Sequence, residues 1–550
     1  NVGVAWRPDV QGGWLRTLLG DPEQATFRAG YGMTYGLERM DRFTALYGDN
    51  PGGSTEASRN YTTGYPLGTG PVLFRDTAAL GAPAFPEAPE YPIAAGLSDS
   101  VNIFDANVQT PYVHSFSAGF QRSLGRDTAF EIRYVGNRNK NVWTTEDWNE
   151  LVLFENNFME EFQRAQGNLR ANIAAGKGNT FAYTGEPGTA PLPTYLAYFS
   201  GSTNAGSPGA YTSTNFSNTA WTGHLGQYEP DPTDAANDLH ASSTFRANAL
   251  SAGLPANFFV MNPAVDEANI TKSLAGTRYN SMQLEVRRRL AHGLLINANY
   301  TFSRSYGSNL QTLRKDRVYL ENTDVPHSFK LNWLYELPFG RGRRYGSNVN
   351  KWVDAIAGNW QFSGTGRVQT NQYAITNTRL VGMDEDELQD AFKIRHQQAA
   401  DGTITVFSFP EDIVTNTRLA YNTSPTSATG YSSEGVPTGR YLAPASAPGC
   451  VALYSGDCGS PKEITLNGPL FTRFDMRINK RFPFGKKANF ELTFEMLNVF
   501  DNINYNHVFT QPTATSNLDN VYRVTTAYTD INTTFDPGGR IGHLMWRINF

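Results

Sequence analysis

"GRIGHLMWRINF", residues 539–550, alternates: Leu544, Trp546, Ile548 and Phe550 fall on one side of an extended chain, and His543, Met545, Arg547 and Asn549 on the other. Successive side chains of a strand point to opposite faces, so one face can meet hydrocarbon while the other lines a wet lumen. That is the pattern of the last strand of an outer-membrane barrel, ending on an aromatic residue and leaving no free edge. The expected fold is all-β, a transmembrane antiparallel β-barrel whose long extracellular loops contain short helices.

Similar alternation recurs upstream. "NVGVAWRP" (1–8) sets Val2, Val4 and Trp6 together, and "ATFRAGYGMTY" (25–35) sets Phe27, Ala29, Tyr31, Met33 and Tyr35 opposite Arg28. "YVHSFSAGFQRSL" turns at "GRD" into "TAFEIRYVGNRN", where Phe130, Ile132 and Tyr134 alternate with Glu131 and Arg133. In "SMQLEVRRRLAHGLLINANYTFSRSY", Met282, Leu284 and Val286 oppose Gln283, Glu285, Arg287 and Arg289. "HSFKLNWLYELPFG", "NWQFSGTGRVQTN" and "FTRFDMRINKRFPFGKKANFELTFEMLNVF" extend the series. Each segment has about the length a tilted strand needs to cross a bilayer, longer than the strands of a soluble sandwich.

Composition removes other classes. The chain has negative mean hydropathy and no apolar run near the ~20 residues of a spanning helix, which excludes a helical membrane protein. Barrel strands give lipid only alternate residues, so a hydrophilic average suits a barrel. Of the aromatic residues, 34 Phe and 27 Tyr dominate, as interface girdles require. A net charge of −5 without a basic block leaves no electrostatic footprint for nucleic acid. No signal peptide precedes Asn1, so an outer-membrane address is inferred from the barrel pattern.

Short turns, "SLGRDT", "LAHGL" and "FPFGKKA", alternate with long excursions through 36–111, 140–278, 307–326, 372–470 and 501–538. Outer-membrane barrels have short periplasmic turns and long external loops, and 140–278 and 372–470 are the largest insertions. The connections after Trp6 and through "PFGRGRRYGSNVNKWVDAIAG" fall on the short-turn side. About eleven strands result, an odd number where bacterial single-chain barrels are even. Residues 1–550 are therefore expected to form the C-terminal half of a 22-stranded barrel with a plugged lumen. Inside the loops, 155–176 sets Phe158, Phe162, Ala165, Leu169 and Ile173 on one helical stripe before Gly176. A second helix is expected over 384–400, "DEDELQDAFKIRHQQAA", acid first and basic later.

"TPYVHSFSAGFQRSL" with "FEIRYVGNRN", "YNSMQLEVRRRL" with "ANYTFSRS", "PHSFKLNWLYELPFGRGRR" with "GNWQFSGTGRVQTN", and "FDMRINKRF" with "FELTFEMLNVFDNINYN" occur here in that order. Together they resemble the C-terminal part of an Oar-like TonB-dependent outer-membrane transporter of Gram-negative bacteria, as do the loop phrases "EFQRAQGNLRANIAAGKG" and "GTAPLPTYLAYFSG". The resemblance implies uptake, less commonly export, of a large solute such as a peptide, protein or glycan. It also implies outer-membrane lipid around the wall, an N-terminal plug and half-barrel of the same polypeptide, the TonB–ExbB–ExbD energising complex, and an extracellular ligand. Of the family's signal peptide, N-terminal β-domain and plug, none is in these residues. A structural or adhesive surface protein displaying large loops is the other expectation.

Inward positions carry Arg28, Glu131, Arg133, Glu285, Arg287, Arg289, Lys330, Glu336, Arg367, Arg473, Asp475, Arg477, Glu491, Glu495 and Arg547. Such charges can hold a plug through a wetted, separable interface, or form a solvated wall with no particular partner. Cys450 and Cys458 are the two cysteines, either a small loop-stapling disulfide or two free thiols. Tyr195, Tyr198, Phe199, Trp221, Phe258 and Phe259 form either a loop ligand surface or the loops' own cores. No catalytic, cofactor or metal motif occurs: the eight histidines are scattered, and there is neither H-E-x-x-H nor G-x-S-x-G. "GRGRRYG" opens no helix and reads as a turn, and "MDEDELQD" lacks a calcium loop's spaced oxygens and reads as a helix start. No enzyme is expected.

Overall fold

A computed structural model describes the chain except residues 37–39, 49, 53–95, 98, 227–229, 309–319, 322–324, 399–400, 428, 446–461, 485–487, 507–521 and 528–538. Its centre is an antiparallel wall of eleven strands in chain order: β1 Val2–Trp6, β2 Ala25–Tyr35, β3 Tyr112–Leu124, β4 Thr128–Asp147, β5 Glu267–Ala291, β6 Leu294–Ser308, β7 His327–Glu336, β8 Trp360–Gln369, β9 Phe471–Phe484, β10 Ala488–Leu497 and β11 Ile541–Asn549. Every neighbour is the next wall strand along the chain, so the connections alternate between the wall's two ends. One end carries 7–24, 125–127, 292–293, 337–359 and 485–487; the other carries 36–111, 148–266, 309–326, 370–470 and 498–540. Among the described residues no helix is long and apolar enough to cross a membrane.

Local chemistry fixes the tight turns. Ala291 pairs with Leu294, and the two residues between them, His292 and Gly293, have φ of 53° and 80°. Positive φ at both centres is the hairpin turn whose twist matches the flanking strands, and glycine suits its second position. A Cβ on Gly293 would also meet the Glu336 carbonyl oxygen at 2.9 Å.

The register joins the alternating positions into two faces. One row runs Trp6, Phe27, Phe120, Ile132, Leu284, Tyr300, Phe329 and Val368 across eight strands. Farther along, Tyr335, Phe362, Ile478, Phe494 and Leu544 continue the same face. The opposite face carries the row Gln121, Glu131, Glu285, Asn299, Lys330, Arg367 and Arg473.

Three expectations are corrected, and one falls outside the described residues. The wall has free edges: among the described residues β1 pairs only with β2 and β11 only with β10, and closure requires the outermost strands to exchange hydrogen bonds. The first insertion is 148–266 rather than 140–278, because β4 and β5 have 20 and 25 residues, well beyond the ~9–11 needed to span a bilayer. Register shifts between Asn139 and Thr144, with Asn141 at φ 57°, mark where β4 bends into this extension, and the strand Ser100–Phe104 pairs in parallel with the start of β5, Glu267–Thr271. The helix expected over 384–400 stops at Ala391, because Arg395–Gln398 instead pairs with Ile404–Phe407. Cys450 and Cys458 lie outside the described residues.

Two insertions have cores of their own. Residues 148–266 fold into a helical cap built on Phe158–Ala174, Pro193–Ser200, Thr219–His224, Pro232–Ala241 and Ser243–Ser251. Phe158, Phe162, Ala165 and Leu169 form its buried stripe, and Gly176 takes the left-handed conformation that ends the first helix. Residues 370–470 form a mixed cap: a sheet of Tyr441–Pro444, Gln372–Val381 and Lys462–Asn467 packs with the helices Glu385–Ala391 and Glu411–Tyr421. The first of these helices starts with a capping box between Asp384 and Glu387.

Candidate functional site

The charged face of the wall collects the sequence candidates. Arg28, Glu131, Arg133, Glu285, Arg287, Lys330, Glu336, Arg367, Arg473, Asp475, Arg477, Glu491, Glu495 and Arg547 all occupy register positions on that one face. Arg289 extends it one step past the ladder, donating to Asp127 at 3.0 Å.

Like charges stand directly opposite one another here, which is unfavourable unless a counter-ion bridges them. Glu131 faces Glu285, and Arg287 bridges them at 3.6 Å and 2.9 Å, with Arg133 at 3.8 Å from Glu131. Across the same face Lys330, Arg367 and Arg473 stand side by side. Arg473 donates to Asp475 at 3.1 Å, while Arg367 donates to Gln369 at 2.7 Å and lies over the Phe471 ring. Toward the last strand, Arg477 pairs with Glu495 at 2.7 Å and Arg481 with Glu491 at 2.8 Å. Most partners are therefore neighbours on the wall itself. Arg28, Lys330 and Arg547 have no partner among the described residues.

The apolar face is open. Trp6, Tyr134, Met282, Phe494, Leu544, Trp546 and Ile548 are all exposed, as is Phe550 beyond the strand. A patch this extended is characteristic of a surface that meets lipid or another protein. Lys480 shares this face but is buried, with its ammonium donating to the Gly358 carbonyl and lying over the Trp360 and Phe482 rings. Its stem lies along apolar surface and its head ends at the short-turn end, satisfied there by that carbonyl rather than by water.

The loop aromatics settle differently from the wall's. Tyr195, Tyr198, Phe199, Trp221 and Phe259 are buried in the helical cap, and Phe258 packs against them half-buried. The ligand-surface alternative for these six is corrected: they are the core of the cap, whose stripe needed an apolar partner. Glu161, also buried there, accepts from the backbone N–H groups of Thr194 and Tyr195 at 3.0 and 2.9 Å, capping the next helix. Burial raises its pKa, opposed by those two hydrogen bonds and by Arg164. Asn168 and Asn172, fully buried, bond the carbonyls of Phe181, Ala190, Thr180 and Ala182 and so pin the irregular segment between helices.

One feature escaped sequence reasoning. In the mixed cap, Arg395, His396 and Phe407 of the hairpin face Val414, Thr415 and Arg418 of the helix Glu411–Tyr421 across a cavity of about 340 Å³. The signal was the spacing of Glu411, Val414, Thr415 and Arg418 along one helix face, hidden inside a segment read as loop.

A wall of antiparallel strands with one exposed apolar face and one charged face defines an outer-membrane barrel protein. The model of the outer-membrane β-barrel domain family matches residues 2–540, and the chain belongs to that family. It is similar to the outer-membrane transporter YddB from Escherichia coli at 8% identity and a TM-score of 0.34, over 96% of this chain and 38% of that one. It is also similar to the ferripyoverdine receptor of Pseudomonas aeruginosa at 7% identity and 0.29, over 88% and 28%. A third likeness is to the P. putida toluene transporter TodX at 9% identity and 0.16, over 86% and 73%. The chain thus spans well under half the length of the first two. No curated protein matches it.

Proposed function

We propose that this chain is part of the wall of a TonB-dependent outer-membrane transporter that takes up a large solute, such as a peptide, protein or glycan. The observation that carries the proposal is the pairing of two opposed faces with two unlike ends: long connections at one end only, short ones at the other. In this arrangement the apolar face meets lipid, the charged face lines the lumen, and the two caps stand outside the cell. The edges of β1 and β11, unpartnered among the described residues, support a larger closed barrel, taken here as one of twenty-two strands, since unsatisfied strand edges in hydrocarbon are strongly unfavourable. Arg28, Lys330 and Arg547 are available to hold a plug inside it. The wall binds and guides its solute and performs no covalent chemistry.

Orientation is tested by cysteine labelling of intact cells in a background with Cys450 and Cys458 replaced by serine. With a membrane-impermeant maleimide, Thr203→Cys and Thr403→Cys in the caps are expected to react, and Arg126→Cys and Ser347→Cys in the short turns only after permeabilisation. The opposite pattern overturns the orientation. Energised transport is tested by whole-cell uptake of a dye-tagged oligopeptide pool, which should disappear when TonB is deleted. The two caps, each with its own core, also suit a display or adhesive role; cell adhesion that depends on the caps and persists without TonB would favour that function instead.

A further inference from the structure

We infer that the cavity of the mixed cap is a binding site for an apolar carboxylate, a carboxyl group carried beside an aromatic or branched side chain. It rests on its own residues, so it stands whether or not the wall transports. The hairpin strand Arg395–Gln398 and the helix Glu411–Tyr421 form its two walls, and Phe407 and Phe409 supply apolar lining. Phe409 is buried and stacks on Phe392, which makes that part of the floor rigid.

Two guanidinium groups line the cavity, one of them already paired. Arg395 uses one amino group, Nη1, on the carbonyls of Ala391 and Lys393, at 2.9 and 2.7 Å. Those bonds anchor the side chain at the end of the helix Glu385–Ala391 and leave its Nε and Nη2 donors without a partner among the described residues. Arg418 is held by Glu434 at 2.7 Å, so its fork is oriented before any ligand arrives. Glu411 sits seven residues before Arg418, about 10 Å along the helix, and so lies at the far end from that cation. The imidazole of His396 adds a third polar group, 3.4 Å from the Tyr505 hydroxyl. An arginine fork and an aromatic floor in one cavity match a planar carboxylate with an apolar neighbour.

The site also spans two connections. Ser408 donates its backbone N–H to Tyr522, and Val524 donates to Val406, so the Phe407 wall is braced by the connection 498–540 that leads to β11. A ligand here would bridge the mixed cap and that connection.

The occupant is either the C-terminal residue of a peptide or a small aromatic acid, and the test separates them. With the purified full chain, binding is measured for a dye-tagged hexapeptide ending in phenylalanine, for its C-terminal amide, and for N-acetylphenylalanine. The free-acid peptide is expected to bind at least about tenfold more tightly than the amide, the range of a lost charge-assisted hydrogen bond. Arg395→Gln should weaken the free acid to the level of the amide. Thr415→Trp, which fills the cavity from an exposed helix position and keeps both arginines, should abolish binding while the cap stays folded. N-acetylphenylalanine matching the peptide assigns the small acid as occupant; weaker binding assigns the peptide terminus. Equal affinity for acid and amide, or full binding by Thr415→Trp, overturns the site.

Discussion

The wall and the helical cap use the same aromatic residues in opposite ways. In the wall, Trp6, Tyr134, Phe494 and Trp546 stand exposed at every second position of strands. In the cap, Phe158, Phe162, Tyr195 and Phe259 are wholly enclosed, at helical spacing or in the turns between helices. An aromatic ring carries no information about its surroundings; the period at which it recurs does. The wall takes its apolar solvent from outside, whereas the cap assembles one from its own side chains.

That contrast can be broken by substitution, and the largest effect is expected in the cap. Phe162→Ala should destabilise the cap by about 3–5 kcal/mol, read as a lower urea midpoint for proteolysis within 148–266, because it opens a cavity in a closed core. Trp546→Ala, on the open face, should leave the wall's assembly intact. Second, Trp546→Arg should destabilise the wall by about 2–4 kcal/mol in lipid vesicles if the residue lies near the bilayer midplane, while His543→Arg on the charged face should be tolerated. Equal tolerance of both would erase the distinction between the faces.

Third, Glu161→Ala should cost the cap about 1–3 kcal/mol by leaving the Thr194 and Tyr195 N–H groups buried without an acceptor. This group also makes the cap pH-dependent. Its folded pKa lies above the ordinary 4.5, so the folded cap binds the proton more tightly than the unfolded chain. The stabilisation is complete below the unfolded value and is lost as pH rises through the raised folded value. The cap's urea midpoint should therefore fall across that window, and Glu161→Gln should flatten the slope. Smallest, Arg287→Ala leaves Glu131 and Glu285 opposed without their bridge, a loss of about 0.2–1 kcal/mol that added salt should shrink.

Most of the wall was legible because strand alternation is a local property. Phe490, Leu492 and Phe494 announce their face within five residues, and the ladder with Ile548, Trp546 and Leu544 follows from it. The fifteen charges were found by the same parity. What parity could not give is closure, since pairing between distant edges leaves no mark on either strand. The cap stripe from Phe158 to Leu169 was readable for the same local reason, but its partners were not. Tyr195 and Phe259 come from segments 37 and 101 residues after Phe158, and only the fold shows them enclosing it. The mixed cap was least legible: Arg395–Gln398 looks helical next to Glu385–Ala391 until Ile404–Phe407 pairs with it, and the cavity exists only once that hairpin has formed.

The central claim is that the two faces of one wall meet different media. Nitroxide labels placed singly along residues 489–496 of β10, in vesicles, report collision with oxygen, which concentrates in lipid, and with a water-soluble nickel chelate. A period of two is expected, with oxygen preferred at Phe490, Leu492 and Phe494 and nickel at Glu491, Thr493 and Glu495. Equal access of both reagents at all six positions, or nickel preferred on the aromatic side, would contradict it.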